Sequence, residues 1–206
     1  MATIVFTDRG GSSRHLRAEQ TLARAARAAD RAPRPAAAQC RWAIAGTRAD
    51  LVLAGERSPA GLVAGGSALH HACVALAGLG AVAEVERRPE PDRPELLARL
   101  RLTAFERPTP DAVRLHRAIA LRPTLAEASG PVPADVLDRL RAAAAECSGG
   151  LLVAGGADGV IRLVVGPPGV GDTWLGVGEA LSAVALAAAV EGWAVRPEPA
   201  AVVAAR

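Results

Sequence analysis

Residues 166–173 read GPPGVGDT, one letter away from the phosphate-binding loop G-x-x-x-x-G-K-[ST], and run directly into WLGVGEALSAVALAAAVEG at 174–192. In a phosphate-binding loop the glycines let backbone N–H groups wrap the phosphates while the lysine neutralises the outermost charge. Here Asp172 stands in the lysine position and would add negative charge to an anionic ligand. The local order fits the motif, because VIRLVV (160–165) reads as a strand and Thr173 opens a helical run. The later context does not. Only 33 residues follow Thr173, too few for the further parallel strands and the magnesium-holding carboxylate of such a fold. The segment therefore reads as a Gly/Pro turn leading into a helix capped by Asp or Thr.

Working outward from that helix, Gly192 marks its end, where a left-handed cap is expected. Upstream, 134–146 reads as a helix and 150–154 as a strand, and 122–133, with three prolines and a glycine, reads as a linker or active-site loop. Residues 16–31 carry apolar residues at helical spacing with arginines between them. Two strand-like runs follow, RWAIAG from Arg41 and DLVLAG from Asp50, with a turn expected over 46–50. Gly65 and Gly66 precede SALHHACVALAGLG, which reads as a buried helix with Ser67 as its N-cap and Gly80 as its stop. AVAEVERRPE and ARLRLTAFE alternate like half-exposed strands on either side of a short helical turn at PELLARL, and a third helix runs through Ile119. The sum is an α+β chain, a sheet covered by helices.

Half of the 206 residues are hydrophobic but only 2% are aromatic, so the core must be built from Ala, Leu and Val. Stacking platforms for single-stranded nucleic acid or sugars are largely absent. There is no Lys, Asn or Tyr, and all 24 cationic side chains are Arg, which reads as the mark of a GC-rich genome. Residues 1–48 hold nine Arg against Asp8, Glu19 and Asp30, a net +6, leaving −3 for the remainder. A basic arm of this kind reads as a solvated helix face, with an anion or nucleic acid as the alternative partner. Cys40, Cys73 and Cys147 are odd in number and widely spaced, which argues against zinc or a disulfide framework and for a reducing cytoplasm. No signal-like start is present, and the apolar run 180–190 is too short to span a bilayer.

WLGVGEALSAVALAAAVEGWAV resembles the last core helix of the Acg-type, actinobacterial nitroreductase-like family, which reads near W-L-R-A-G-E-A-L-S-A-V-L-L-E-A. GGSALHHACVALAGLG is similar to the family's G-A-A-L-x-x-L-R-V-A-L-A-A-L-G helix, and LRPTLAEASGPVP is similar to its R-R-T-x-R segment before P-V-P. The resemblance covers most of 16–199. It implies an FMN-dependent nitroreductase fold in a single domain over 1–206, with a first half at 1–120 and a shortened second half at 121–206. It further implies a homodimer, and Arg122, Thr124, Gln39, Gly178 and Glu179 as flavin-binding positions. The implied activity is hydride transfer between flavin N5 and a small molecule. Pro123 and Ala126 replace two expected cations, Arg34, Ala36 and Ala37 replace a Ser, a His and an Asn, and Gly176 replaces an Arg. Each such loss removes a polar partner worth about 1.5–3 kcal/mol, so the alternative is a non-catalytic homologue binding flavin, another ligand or a partner protein. His70, His71 and Cys73 read as core or groove-lining groups, and Glu179 as either a cofactor contact or a charge near its helix start.

Overall fold

The computed structural model describes residues 4–6, 13–33, 39–121, 131–147, 151–155, 161–165, 173–193 and 195. The chain is α+β. A five-stranded sheet has the order β1-β2-β3-β5-β4, built from β1 (Ile4–Phe6), β2 (Gln39–Ala45), β3 (Arg48–Ala54), β4 (Ala81–Arg87) and β5 (Leu96–Phe105). All its neighbours are antiparallel except β1, which runs parallel to β2 with Ile4 opposite Trp42. A separate antiparallel hairpin joins β6 (Leu151–Gly155) to β7 (Ile161–Val165). The helices are α1 (Ser13–Ala29), α2 (Pro59–Gly78), α3 (Pro110–Leu121), α4 (Ala134–Ala145) and α5 (Thr173–Val190).

Local chemistry accounts for most boundaries. In α1, Ala18, Leu22, Ala25, Ala26 and Ala29 fall on one buried stripe, which packs against α2 and the sheet. The β2–β3 turn is tighter than the spacing suggested, because Gly46 takes a left-handed φ of 57° and its N–H donates to Glu19 Oε1 at 2.8 Å. β3 is buried along its length because it is the central strand of five. Its one buried charge, Asp50, accepts two bonds from Arg99, directly opposite on β5, at 2.8 and 3.0 Å.

Two expectations are corrected. α2 begins at Pro59, not after Gly66, with Ser58 as the N-cap accepting from Gly61 N at 3.2 Å. Ser67 lies mid-helix. The Gly65-Gly66 pair is not a break, because both residues are buried at close contacts, Gly65 against the Leu97 side chain of β5 and Gly66 against the α5 backbone. PELLARL forms no helical turn either: from Leu96 it is strand, since pairing with β3 on one side and β4 on the other overrides its local preference. β1 was not anticipated at all, being a three-residue strand in a stretch too short to show a period.

The turn at 166–172 lies outside the described residues, but the helix after it forms as expected, and Gly192 ends it at φ 79°. Gly192 N donates to Ala189 O and Trp193 N to Ala188 O, the paired bonds of a left-handed helix cap.

An internal repeat organises the molecule. Shifted by 112 residues, the separation of His70 and Ser182, β2 falls on β6, β3 on β7 and α2 on α5, while α1 and α4 each precede their hairpin. Two apolar clusters follow the two repeats. The larger takes in α1, α2 and the sheet together with Leu175, Leu186 and Ala189 of α5; the smaller takes in α4, β6, β7 and α5 together with Val63 of α2. Each central helix thus seals the other half's core. Among the described residues α2 is the helix long and apolar enough to cross a membrane, and 61% of its apolar window is buried inside the protein.

Candidate functional site

The α2–α5 crossing gathers most of the buried polar chemistry. The helices touch backbone to backbone: a methyl added at Gly66 would lie 1.9 Å from the Leu175 carbonyl oxygen, and one at Gly178 would lie 2.0 Å from that of Val63. The two contacts are counterparts under the 112-residue shift. Ser67 Oγ donates to Gly178 O at 2.8 Å. One turn on, Nδ1 of His70 and Nδ1 of His71 meet Ser182 Oγ at 2.7 and 2.6 Å. Ser67, His71 and Ser182 are wholly buried.

Glu179 follows the contact glycine on α5 and is buried, with its side chain 7% exposed. A carboxylate there needs a cation. Arg87, at the end of β4, supplies it through a two-pronged pair, Nε to Oε1 at 2.8 Å and Nη2 to Oε2 at 2.7 Å. The bond to Glu179 raises the Arg87 pKa further above its ordinary value. Burial pushes the Cys73 thiol up to about 12 and the Cys147 thiol up to about 11, with the Glu179 charge adding to both and Arg87 opposing. Both thiols are therefore protonated at neutral pH, and neither is an activated nucleophile. Burial lowers the pKa of His70, although Glu179 pulls it upward, so this imidazole is neutral as well.

Two cavities flank this cluster. One, of about 330 Å³, is mainly apolar and runs between α2, β4 and the start of α3, with Cys73, Ala77, Val82 and Val85 in its wall. The other, of about 340 Å³, lies under the loop between β4 and β5 and is lined by Arg87, Arg88, Glu90, Pro91, Arg93, Pro94 and Leu96. Elsewhere, Arg17, Arg24 and Arg27 of α1 face outward, and Arg17 lies over the Phe105 ring at 4.1 Å.

Of the five residues singled out for flavin, three lie among the described residues. Gly178 and Glu179 both belong to the crossing, Gly178 closed against the α2 backbone and Glu179 neutralised by Arg87. Gln39 opens β2 at an exposed position, apart from them. Arg122 and Thr124 lie outside the described residues. Among the described members of the set the one charge is that of Glu179, and it is negative. Arg87 and Ser182 went unnoticed in the sequence. The available signal for Arg87 was the burial of Glu179 itself, which on an apolar helix demands a cationic partner from another element. No protein-family model matches the chain, and a search of curated proteins finds no match.

Proposed function

We propose that this chain is a nitroreductase-like protein that acts by binding a small molecule, without flavin redox chemistry of its own. One observation carries the reading: Gly178 and Glu179, the two positions that the resemblance offers to a flavin on the final helix, are consumed by contacts inside the protein. The protonated thiols support it, since neither is poised to attack a bound molecule, and so do His70 and His71, whose Nδ1 atoms are both engaged by Ser182 Oγ. A homodimer belongs to the same reading, because the resemblance implies one. So does a cytoplasmic location, which suits three free cysteines.

A second reading keeps the FMN-dependent oxidoreductase. The 112-residue repeat about the α2–α5 crossing favours it, because two related halves are what the resemblance implies. Bound FMN would supply the hydride chemistry at N5.

The deciding experiment is a visible absorbance spectrum of the purified protein, repeated after incubation with FMN and gel filtration. The binding reading expects no flavin band to travel with the protein. A retained band that weakens in Arg122→Ala would overturn it in favour of the oxidoreductase.

A further inference from the structure

The segment RRPEPDRPE, residues 87–95, forms the end of β4 and the loop into β5. Surface loops are ordinarily loosely determined, and this one is not. Three prolines, Pro89, Pro91 and Pro94, fix φ along it. Arg93 N donates to Glu90 O at 3.0 Å, Leu96 N to Arg93 O at 2.9 Å, Arg88 N to Leu97 O at 2.9 Å, and Leu53 N to Glu95 O at 2.8 Å.

Carboxylates orient the side chains as well. Glu179 orients Arg87. Glu90 and Glu95 orient Arg93 at 3.0 and 3.5 Å. Glu90 is bound by Arg99 Nη2 at 2.6 Å, and Arg99 is anchored in the sheet by Asp50. These bonds occupy Nε and Nη2 of Arg87 and Nε and Nη1 of Arg93, leaving one terminal nitrogen of each guanidinium outside them. Between the two arginines stands Arg88, exposed, and the one non-glycine residue with a positive φ, 51°, among the described residues. A turn that needs a left-handed residue favours glycine, so Arg88 stands there at a conformational cost.

The cavity these groups line, about 340 Å³, lies within the range of small-molecule sites. Its lining carries three guanidiniums against the single carboxylate of Glu90, and its remaining wall is Pro91, Pro94 and Leu96. Guanidiniums preset by carboxylates behind them suit a tetrahedral oxyanion, and the apolar wall suits a compact organic body attached to it. We propose that this cavity binds a small phosphate monoester, its dianionic end on Arg87, Arg88 and Arg93 and its organic end against Pro91, Pro94 and Leu96. None of these residues is among the flavin positions, so the proposal stands whichever way the flavin test falls.

The test is calorimetric titration of the full chain with phenyl phosphate and with inorganic phosphate at constant ionic strength, alongside Arg88→Gly and Arg93→Gln. Arg88→Gly removes the guanidinium and relieves the left-handed strain together, and its melting temperature is compared with the parent's as the check on folding. The expected result is one saturable site, phenyl phosphate tighter than inorganic phosphate, and about tenfold or weaker binding in each variant. No saturable heat with either probe, or unchanged affinity in both variants, overturns the site. Equal affinity for the two probes overturns the assignment to a monoester.

Discussion

The two halves of this chain start from one plan and end differently. In both, a helix precedes a β-hairpin that leads into a long apolar helix, and the two long helices cross at a glycine. The first half then adds β4, β5 and α3, giving its hairpin a sheet to belong to; the second has a hairpin covered by α4 and α5. The positions that touch have stayed equivalent, and those beside them have diverged. Gly66 matches Gly178, but Ser67 matches Glu179 and His70 matches Ser182. Contact geometry fixes the first kind of position, since nothing larger than hydrogen fits between two helix backbones. The second kind is free to change as long as every buried polar group finds a partner.

The sharpest way to break the equivalence is to add a methyl group on each side of the crossing. Gly66→Ala and Gly178→Ala should each cost about 3 kcal/mol or more, because the obstructing atoms are backbone on both sides. Urea unfolding should show the two losses equal within error, and a tolerant Gly178→Ala would mean the helices do not meet as described.

The helix caps test the opposite case, equivalent positions in unequal surroundings. Gly80 and Gly192 both take positive φ, 71° and 79°, but a methyl at Gly80 would lie 2.3 Å from Glu106 O, while at Gly192 it meets nothing within 4 Å. Gly192→Ala should therefore cost about 1 kcal/mol and Gly80→Ala about 2–3 kcal/mol by thermal melting.

The diverged pair Ser67 and Glu179 should differ as well. Ser67→Ala loses one bond to Gly178 O, about 1 kcal/mol. Arg87→Ala leaves Glu179 buried without its cation, and about 2 kcal/mol is expected, less than for a fully buried pair because Arg87 is 44% exposed. A chemical-denaturation series in which Ser67→Ala is the costlier of the two would overturn the ranking.

The smallest effect is a pH dependence. His70 has its pKa below the ordinary 6.5 in the folded protein, so the unfolded chain binds the proton more readily. Stability is full above 6.5 and declines as the pH falls toward the folded value. His116, lowered mainly by burial and also by Arg24, contributes in the same direction. His70→Asn should flatten part of the slope between pH 7 and 5 in melting temperature, by roughly 1 kcal/mol or less. An unchanged slope would show that His70 does not titrate there.

How much of this could be read beforehand depended on whether the information was local. The helix ending at Gly192 and the strands at RWAIAG and DLVLAG were legible because period and cap chemistry are written within a few residues. The start of α2 was misread because Gly65-Gly66 has the local signature of a breaker, while its actual role depends on Leu97 and on Leu175 and Glu179, all far along the chain. For the same reason Glu179 was noticed and its partner was not: nothing near Arg87 in the sequence points to α5. The segment 87–95 read as half strand and half helical turn, and its value as a fixed array of guanidiniums emerges only when Asp50 and Arg99 are brought beneath it.

Ser182 has one hydroxyl hydrogen, yet two imidazole Nδ1 atoms meet its oxygen. The hydroxyl can donate to only one of them, and the other must donate its own Nδ1 hydrogen to the oxygen. His70 and His71 consequently differ at Nδ1, one protonated there and the other not. A crossing that is nearly two-fold in its backbone thus carries a chain of hydrogen bonds with a direction, and reversing that direction requires both rings to change their Nδ1 protonation together.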